Sequence, residues 1–100
     1  MPTDTPTVLE ALSDPDCRAI VRSIGQPRTA REVATTCDLP LSTAYRKLDA
    51  LEATPLVEQT YRLRQQGKHP QQYQRRADSL LVRLPEESVE VRLVQRAVVE

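Results

Sequence analysis

The chain has 100 residues, about one domain's worth. That length excludes a Rossmann or barrel enzyme, and no apolar run approaches the roughly 18 residues of a membrane span. Fourteen basic and fourteen acidic side chains cancel, so the whole-chain charge points to no class of partner.

Hydrophobic residues make up 39% of the chain, with three Tyr and neither Phe nor Trp. A core must therefore be built from Leu, Ile, Val and Ala. Charge is unevenly spread: residues 1–27 hold two basic against four acidic residues, 28–83 ten against six, and 84–100 two against four. Within the middle block, Arg62 to Arg76 carries five basic residues, one His and no acid, a candidate contact for a polyanion. Cys17 and Cys37 are too few for a disulfide framework and read as small hydrophobes; no metal or other cofactor is expected. Met1-Pro2-Thr3-Asp4 lacks the basic and apolar regions of a secretory signal, so the expected compartment is the cytoplasm.

In chain order, residues 1–7 read as a flexible tail. Val8, Leu9 and Leu12 form a short helical stripe that stops at Ser13-Asp14-Pro15. Ser13 or Asp14 can cap the next helix, with Pro15 at its first position, where a missing N–H costs nothing. Ile20, Val21 and Ile24 share one face of that helix, which is expected to end at Gly25 and Pro27. Thr29-Ala30-Arg31-Glu32 is a capping box opening a helix over about 30–37 that buries Val33, Ala34 and Cys37. Asp38-Leu39-Pro40 breaks it. A further helix runs over about 41–53, its stripe being Leu41, Ala44, Leu48 and Leu51 at spacings of three, four and three. After Thr54-Pro55, two extended arms around Gly67 and Pro70 predict a basic hairpin over about 58–83, with Tyr61 on one arm and Tyr73, Leu80, Leu81, Val82 and Leu84 on the return. In 85–100, Val89, Val91 and Leu93 alternate like a strand, whereas Leu93, Val94, Ala97 and Val98 suit a helix.

Two helices joined by a short break, with a basic hairpin after the second, make a winged helix-turn-helix layout. The run Ala11-Leu12-Ser13-Asp14-Pro15 with Arg18-Ala19-Ile20-Val21 resembles the opening helix of the ArsR-type winged-helix regulators of archaea and bacteria. Ala34 to Glu52 resembles that family's helix-turn-helix, and Leu51-Glu52-Ala53-Thr54-Pro55-Leu56-Val57 its junction into the wing. The resemblance covers about residues 8–76. It departs from the family at Thr54-Pro55, where a Gly is usual, at Pro40, where a capping Ser is common, and in lacking the Cys-x-Cys of metal-sensing members.

On a helical wheel, Arg46 falls opposite the aliphatic stripe, with Ser42, Asp49 and Ala53 beside it; Thr43 and Ala50 border that face, and Tyr45 and Lys47, candidate DNA contacts as well, flank the stripe. Arg can bond guanine O6 and N7 bidentately, and Ser or Thr can bond bases or phosphates. Asp49 is expected to orient Arg46 at i+3 or to accept from a cytosine. On the hairpin, Lys68 and His69 beside Gly67 and Arg62, Arg64, Arg75 and Arg76 on the arms are candidate phosphate or minor-groove contacts. Tyr61 and Tyr73 either fill the hairpin or touch nucleic acid.

The expected fold is mainly α with a small β wing: three to four helices followed by a two-stranded hairpin, over 8–84. The expected function is that of a sequence-selective double-stranded DNA-binding transcriptional regulator, a homodimer with 85–100 as its candidate dimerisation element. No constellation of an enzyme is present. The rival readings are an interaction module whose basic hairpin binds an acidic protein, and an RNA-binding winged helix.

Overall fold

The computed structural model describes residues 4–61 and 71–95. Four helices come first: α1 (Asp4–Ser13), α2 (Pro15–Ser23), α3 (Ala30–Cys37) and α4 (Leu41–Glu52). Two antiparallel hairpins follow, β1 (Val57–Tyr61) with β2 (Gln71–Arg75), and β3 (Ser79–Arg83) with β4 (Glu90–Val94). The α+β expectation of helices followed by a small β element is met.

The helix starts follow from local chemistry. Asp14, in extended backbone, caps α2 by accepting from the Cys17 N–H at 3.0 Å, and Pro15 takes the first helical position. At α3 the capping box is complete: the Glu32 N–H donates to Thr29 Oγ1 at 3.1 Å and the Thr29 N–H donates to Glu32 Oε1 at 2.8 Å. Asp38 ends α3 in the left-handed region at φ 55, a conformation that Asp tolerates better than most non-glycine residues. From there the Leu39 N–H donates to the Ala34 carbonyl at 2.9 Å, and two residues later α4 begins.

The expected tail over 1–7 gives way to helix from Asp4. Pro6 lies in the first turn, where no intrahelical N–H is needed, and Val8 is fully buried, so the core draws the helix onto the body. Gly25 does not end α2 through a left-handed backbone: Ile24 is the C-cap.

The core lies between the helices and the first hairpin. Ile20 and Ile24 of the α2 end, Val33 of α3, and Ala44, Leu48 and Leu51 of α4 are fully buried against Leu56, Val57 and Tyr73. Tyr73 does more than fill space. Its N–H donates to the Arg28 carbonyl at 2.7 Å and its carbonyl accepts from the Arg28 N–H at 3.0 Å. Arg28, ahead of α3, thus adds a one-residue third rung to the β1–β2 sheet and ties hairpin to helices.

The hairpin is shorter than the sequence predicts. β1 and β2 pair from Val57↔Arg75 to Tyr61↔Gln71, so its return arm ends at Arg75. Leu80, Leu81 and Val82 belong instead to β3, which pairs with β4 from Ser79↔Val94 to Arg83↔Glu90. The reason is Ala77, which is buried: the chain dips to the body there and re-emerges in a new direction, with Leu80 and Leu93 packed on the helical core. Glu90–Val94 is therefore strand; Ala97 and Val98, the rest of the helical alternative, lie outside the described residues.

Truncating the seam beneath α4 should be costly, since Leu48 is fully buried. Leu48→Ala is expected to lower the unfolding free energy by about 2–5 kcal/mol, measured from the midpoint and slope of urea unfolding followed by circular dichroism.

Candidate nucleic-acid interface

Helix α4 sorts its side chains by the stripe it buries. Ala44, Leu48 and Leu51 are sealed against the body; Ser42, Tyr45, Arg46, Asp49 and Ala50 are exposed, and Thr43 and Lys47 are half-buried at the borders. Tyr45 keeps 46% of its surface in solvent. Among the described residues no ion pair holds Arg46, and Asp49 does not bond it. At the start of the helix, Pro40 supplies no side-chain cap. Its carbonyl accepts from the Ala44 N–H at 2.9 Å, and the N–H groups of the first turn are left without a capping side chain, a polarity suited to an anion.

The exit from α4 is reached without the glycine that the resemblance leads one to expect. Ala53 stays in right-handed helical backbone. Thr54, buried, donates its hydroxyl to the Leu51 carbonyl at 2.6 Å and accepts from the Leu56 N–H at 3.2 Å. One hydroxyl thus closes the last turn and aims the chain into β1. Gln59 of β1 donates to Glu52 Oε2 at 2.6 Å, fixing the hairpin base to the end of α4.

Two of the cations singled out by the sequence are occupied by the fold. Lys47 Nζ lies 2.8 Å from Asp14 Oδ2, the same oxygen that caps α2, so the lysine braces α4 against α2. Arg75 turns inward: its Nη1 donates to the Val21 carbonyl at 2.9 Å, near the C-terminus of α2, where a cation meets the negative end of the helix dipole. Its backbone N–H also donates to the Ile24 carbonyl at 2.9 Å. Gly25 leaves room for this guanidinium, since a Cβ there would stand 3.0 Å from Arg75 Nη2. Arg76 is exposed and lies 3.5 Å from Glu58 Oε2, a surface pair of small worth. Arg62, Arg64, Lys68 and His69 lie outside the described residues. Tyr73 is core and not surface, and burial together with the nearby carboxylates of Asp49 and Glu52 raises its phenol above the ordinary value.

Sequence reasoning missed Arg28 and Arg31. Both are exposed and, with Glu32, Thr35 and Thr36, line a shallow groove along α3, beside the sheet rung made by Arg28. The signal was present in the sequence, as two arginines bracketing the Thr29 cap. Cys17 is buried, and desolvation followed by its hydrogen bond to Asp14 pushes the thiol up to about 11, so it stays protonated and chemically quiet at neutral pH. Among the described residues, no three His, Cys, Asp or Glu side chains gather into a metal-holding group. No helix among them is long and apolar enough to cross a membrane.

Residues 12–60 match the family profile of a helix-turn-helix domain. The matched stretch runs from the end of α1 through α2, α3 and α4 into β1, so α3 and α4 are the two helices of the motif and the β1–β2 hairpin stands in the place of the wing. The fold is a winged helix-turn-helix. No curated protein and no solved structure matches the chain.

The Asp14–Lys47 brace makes an acid-range prediction. The Lys47 hydrogen bond first, and then that from the Cys17 N–H, lower the Asp14 carboxyl from its ordinary 3.8 to about 2. A carboxyl that titrates lower when folded stabilises above its unfolded value and loses that contribution as pH falls through the folded one. Asp14→Asn, which can still cap, should melt below the unaltered protein at pH 7. The gap should close between about pH 4 and pH 2 in thermal melts followed by circular dichroism.

Proposed function

We propose that the protein is a sequence-selective double-stranded DNA-binding transcriptional regulator of the ArsR-like type, working as a homodimer. In this reading α4 enters the major groove and the β1–β2 hairpin follows the backbone or the minor groove. The observation that carries it is the outward row of Ser42, Tyr45, Arg46 and Asp49 on a helix whose opposite side is sealed to the body, within a stretch matching a helix-turn-helix family.

The roles follow from donor chemistry. Arg46, free of any ion pair among the described residues, offers a bidentate fork to guanine O6 and N7. Ser42 and Thr43, at the start of α4, serve bases or phosphates, and the uncapped first turn favours a phosphate nearby. Tyr45 brings a ring and a hydroxyl to the backbone. Arg28, Arg31 and Arg76, exposed to solvent, add phosphate contacts in this reading, and Arg62, Arg64, Lys68 and His69 belong to the same set by their sequence position between β1 and β2. Lys47 and Arg75 leave the set, because both cations are committed to Asp14 and Val21.

Selection from a randomised duplex pool tests this reading. It is expected to enrich one sequence as an inverted repeat, and failure to enrich any sequence contradicts selective binding. On the enriched site, Arg46→Ala should cut the preference over random duplex roughly five- to 150-fold, the worth of one bidentate base contact. Arg76→Ala should weaken both alike and flatten the salt dependence by about one unit of log–log slope.

A further inference from the structure

The second hairpin takes no part in the proposed DNA contact. It is a sheet of two strands only, a unit that is marginal without a further surface. One of its faces carries the opposed pairs Leu80↔Leu93 and Val82↔Val91. Leu80 and Leu93 rest on the helical body, but beyond them the hairpin runs out into solvent, leaving Val82 46%, Val89 43% and Leu84 77% exposed. Such an edge is ordinarily guarded by charged side chains, Pro or a bulge; β4 has no Pro and a regular register with β3, and its only charges are one of each sign, Glu90 and Arg92.

The charge pattern names the occupant. Outward from Val91, β4 is flanked first by Glu90 and Arg92, then by Val89 and Leu93. Antiparallel pairing of two copies about a two-fold axis at Val91 sets Glu90 of each opposite Arg92 of the other, on one face. On the other face, Val89 meets Leu93 and Val91 meets its own copy. Opposite charges directly across strands stabilise a sheet, and apolar pairs add to that. The same operation on β3 about Leu81 would set Ser79 against Arg83 and form no charge pair. Among the described residues Glu90 has only a loose bond to Arg83, at 3.9 Å between half-exposed groups, and Arg92 has no acidic partner.

We infer that β4 is a self-pairing edge whose partner is a second copy of this chain, the two hairpins joining into one sheet in the order β3-β4-β4-β3. This rests on the homodimer reading above and supplies its interface. It is also compatible with operator symmetry, since an isologous contact places two α4 helices about the same two-fold axis.

Sedimentation velocity of the full chain at tens of micromolar, without DNA, tests it. The unaltered protein should run as a dimer. Arg92→Glu and Glu90→Arg should each run as a monomer with unchanged helical circular dichroism, because like charges then face each other. Mixed in equal amounts they should return to a dimer, since each supplies the charge that the other lost, and the double exchange E90R/R92E should dimerise alone. A monomeric unaltered protein, a dimer that survives both single changes, or a mixture that stays monomeric would overturn the inference. None of these outcomes bears on whether α4 selects a DNA sequence, which the duplex-pool experiment decides separately.

Discussion

The arrangement depends on one apolar seam. Ala44, Leu48 and Leu51 are sealed beneath α4, and because they recur at helical spacing, their burial decides the direction of every other side chain on that helix. Burying an aliphatic side chain is worth about 1.5–3 kcal/mol, whereas exposing a serine or an arginine costs little. The helix therefore settles with Leu48 inward and Arg46 outward. With no Phe or Trp in the chain, the other half of the seam is aliphatic too, apart from Tyr73 of β2, whose backbone is also bonded to Arg28. The surface that would read DNA is set from behind, by packing.

Around this seam, polar groups do the joining. Asp14 caps α2 and holds Lys47 with a single oxygen; Thr54 closes α4 and starts β1; Arg75 ties the end of the first hairpin to the end of α2. Each adds a hydrogen bond at a helix terminus, where intrahelical partners run out. The consequence for function is a division among the cations. Lys47 and Arg75, which meet a capping carboxylate and a helix terminus, are structural, whereas Arg28, Arg31, Arg46 and Arg76 face solvent.

Where the chain's local chemistry is self-contained, the sequence showed the fold directly. The Thr29–Glu32 box, the Asp14-Pro15 start and the Leu spacing of α4 each act within four residues, so α2, α3 and α4 and the outward position of Arg46 could be read residue by residue. What depends on distant partners could not. Nothing near Arg75 announces the Val21 carbonyl, more than fifty residues earlier, and nothing near Lys47 announces Asp14. The single sheet rung at Arg28 has no pattern of its own. The apolar run Leu80-Leu81-Val82 looks like a returning hairpin arm, and only the inward dip at Ala77 reassigns it to β3. Asp38 and Thr54 occupy places where a glycine is the usual signal, and a bond from backbone or hydroxyl does the work there.

The most direct test of the central claim is a residue-resolved titration of the isotopically labelled protein with duplex DNA, read as amide shifts in two-dimensional nitrogen–proton NMR. If the Leu48 seam turns the reading face outward, the largest changes fall on Ser42, Tyr45, Arg46 and Asp49, with smaller ones at Arg28, Arg31 and the first hairpin, while Leu80 to Leu93 stay still. Changes concentrated on the second hairpin, with α4 silent, would contradict the account.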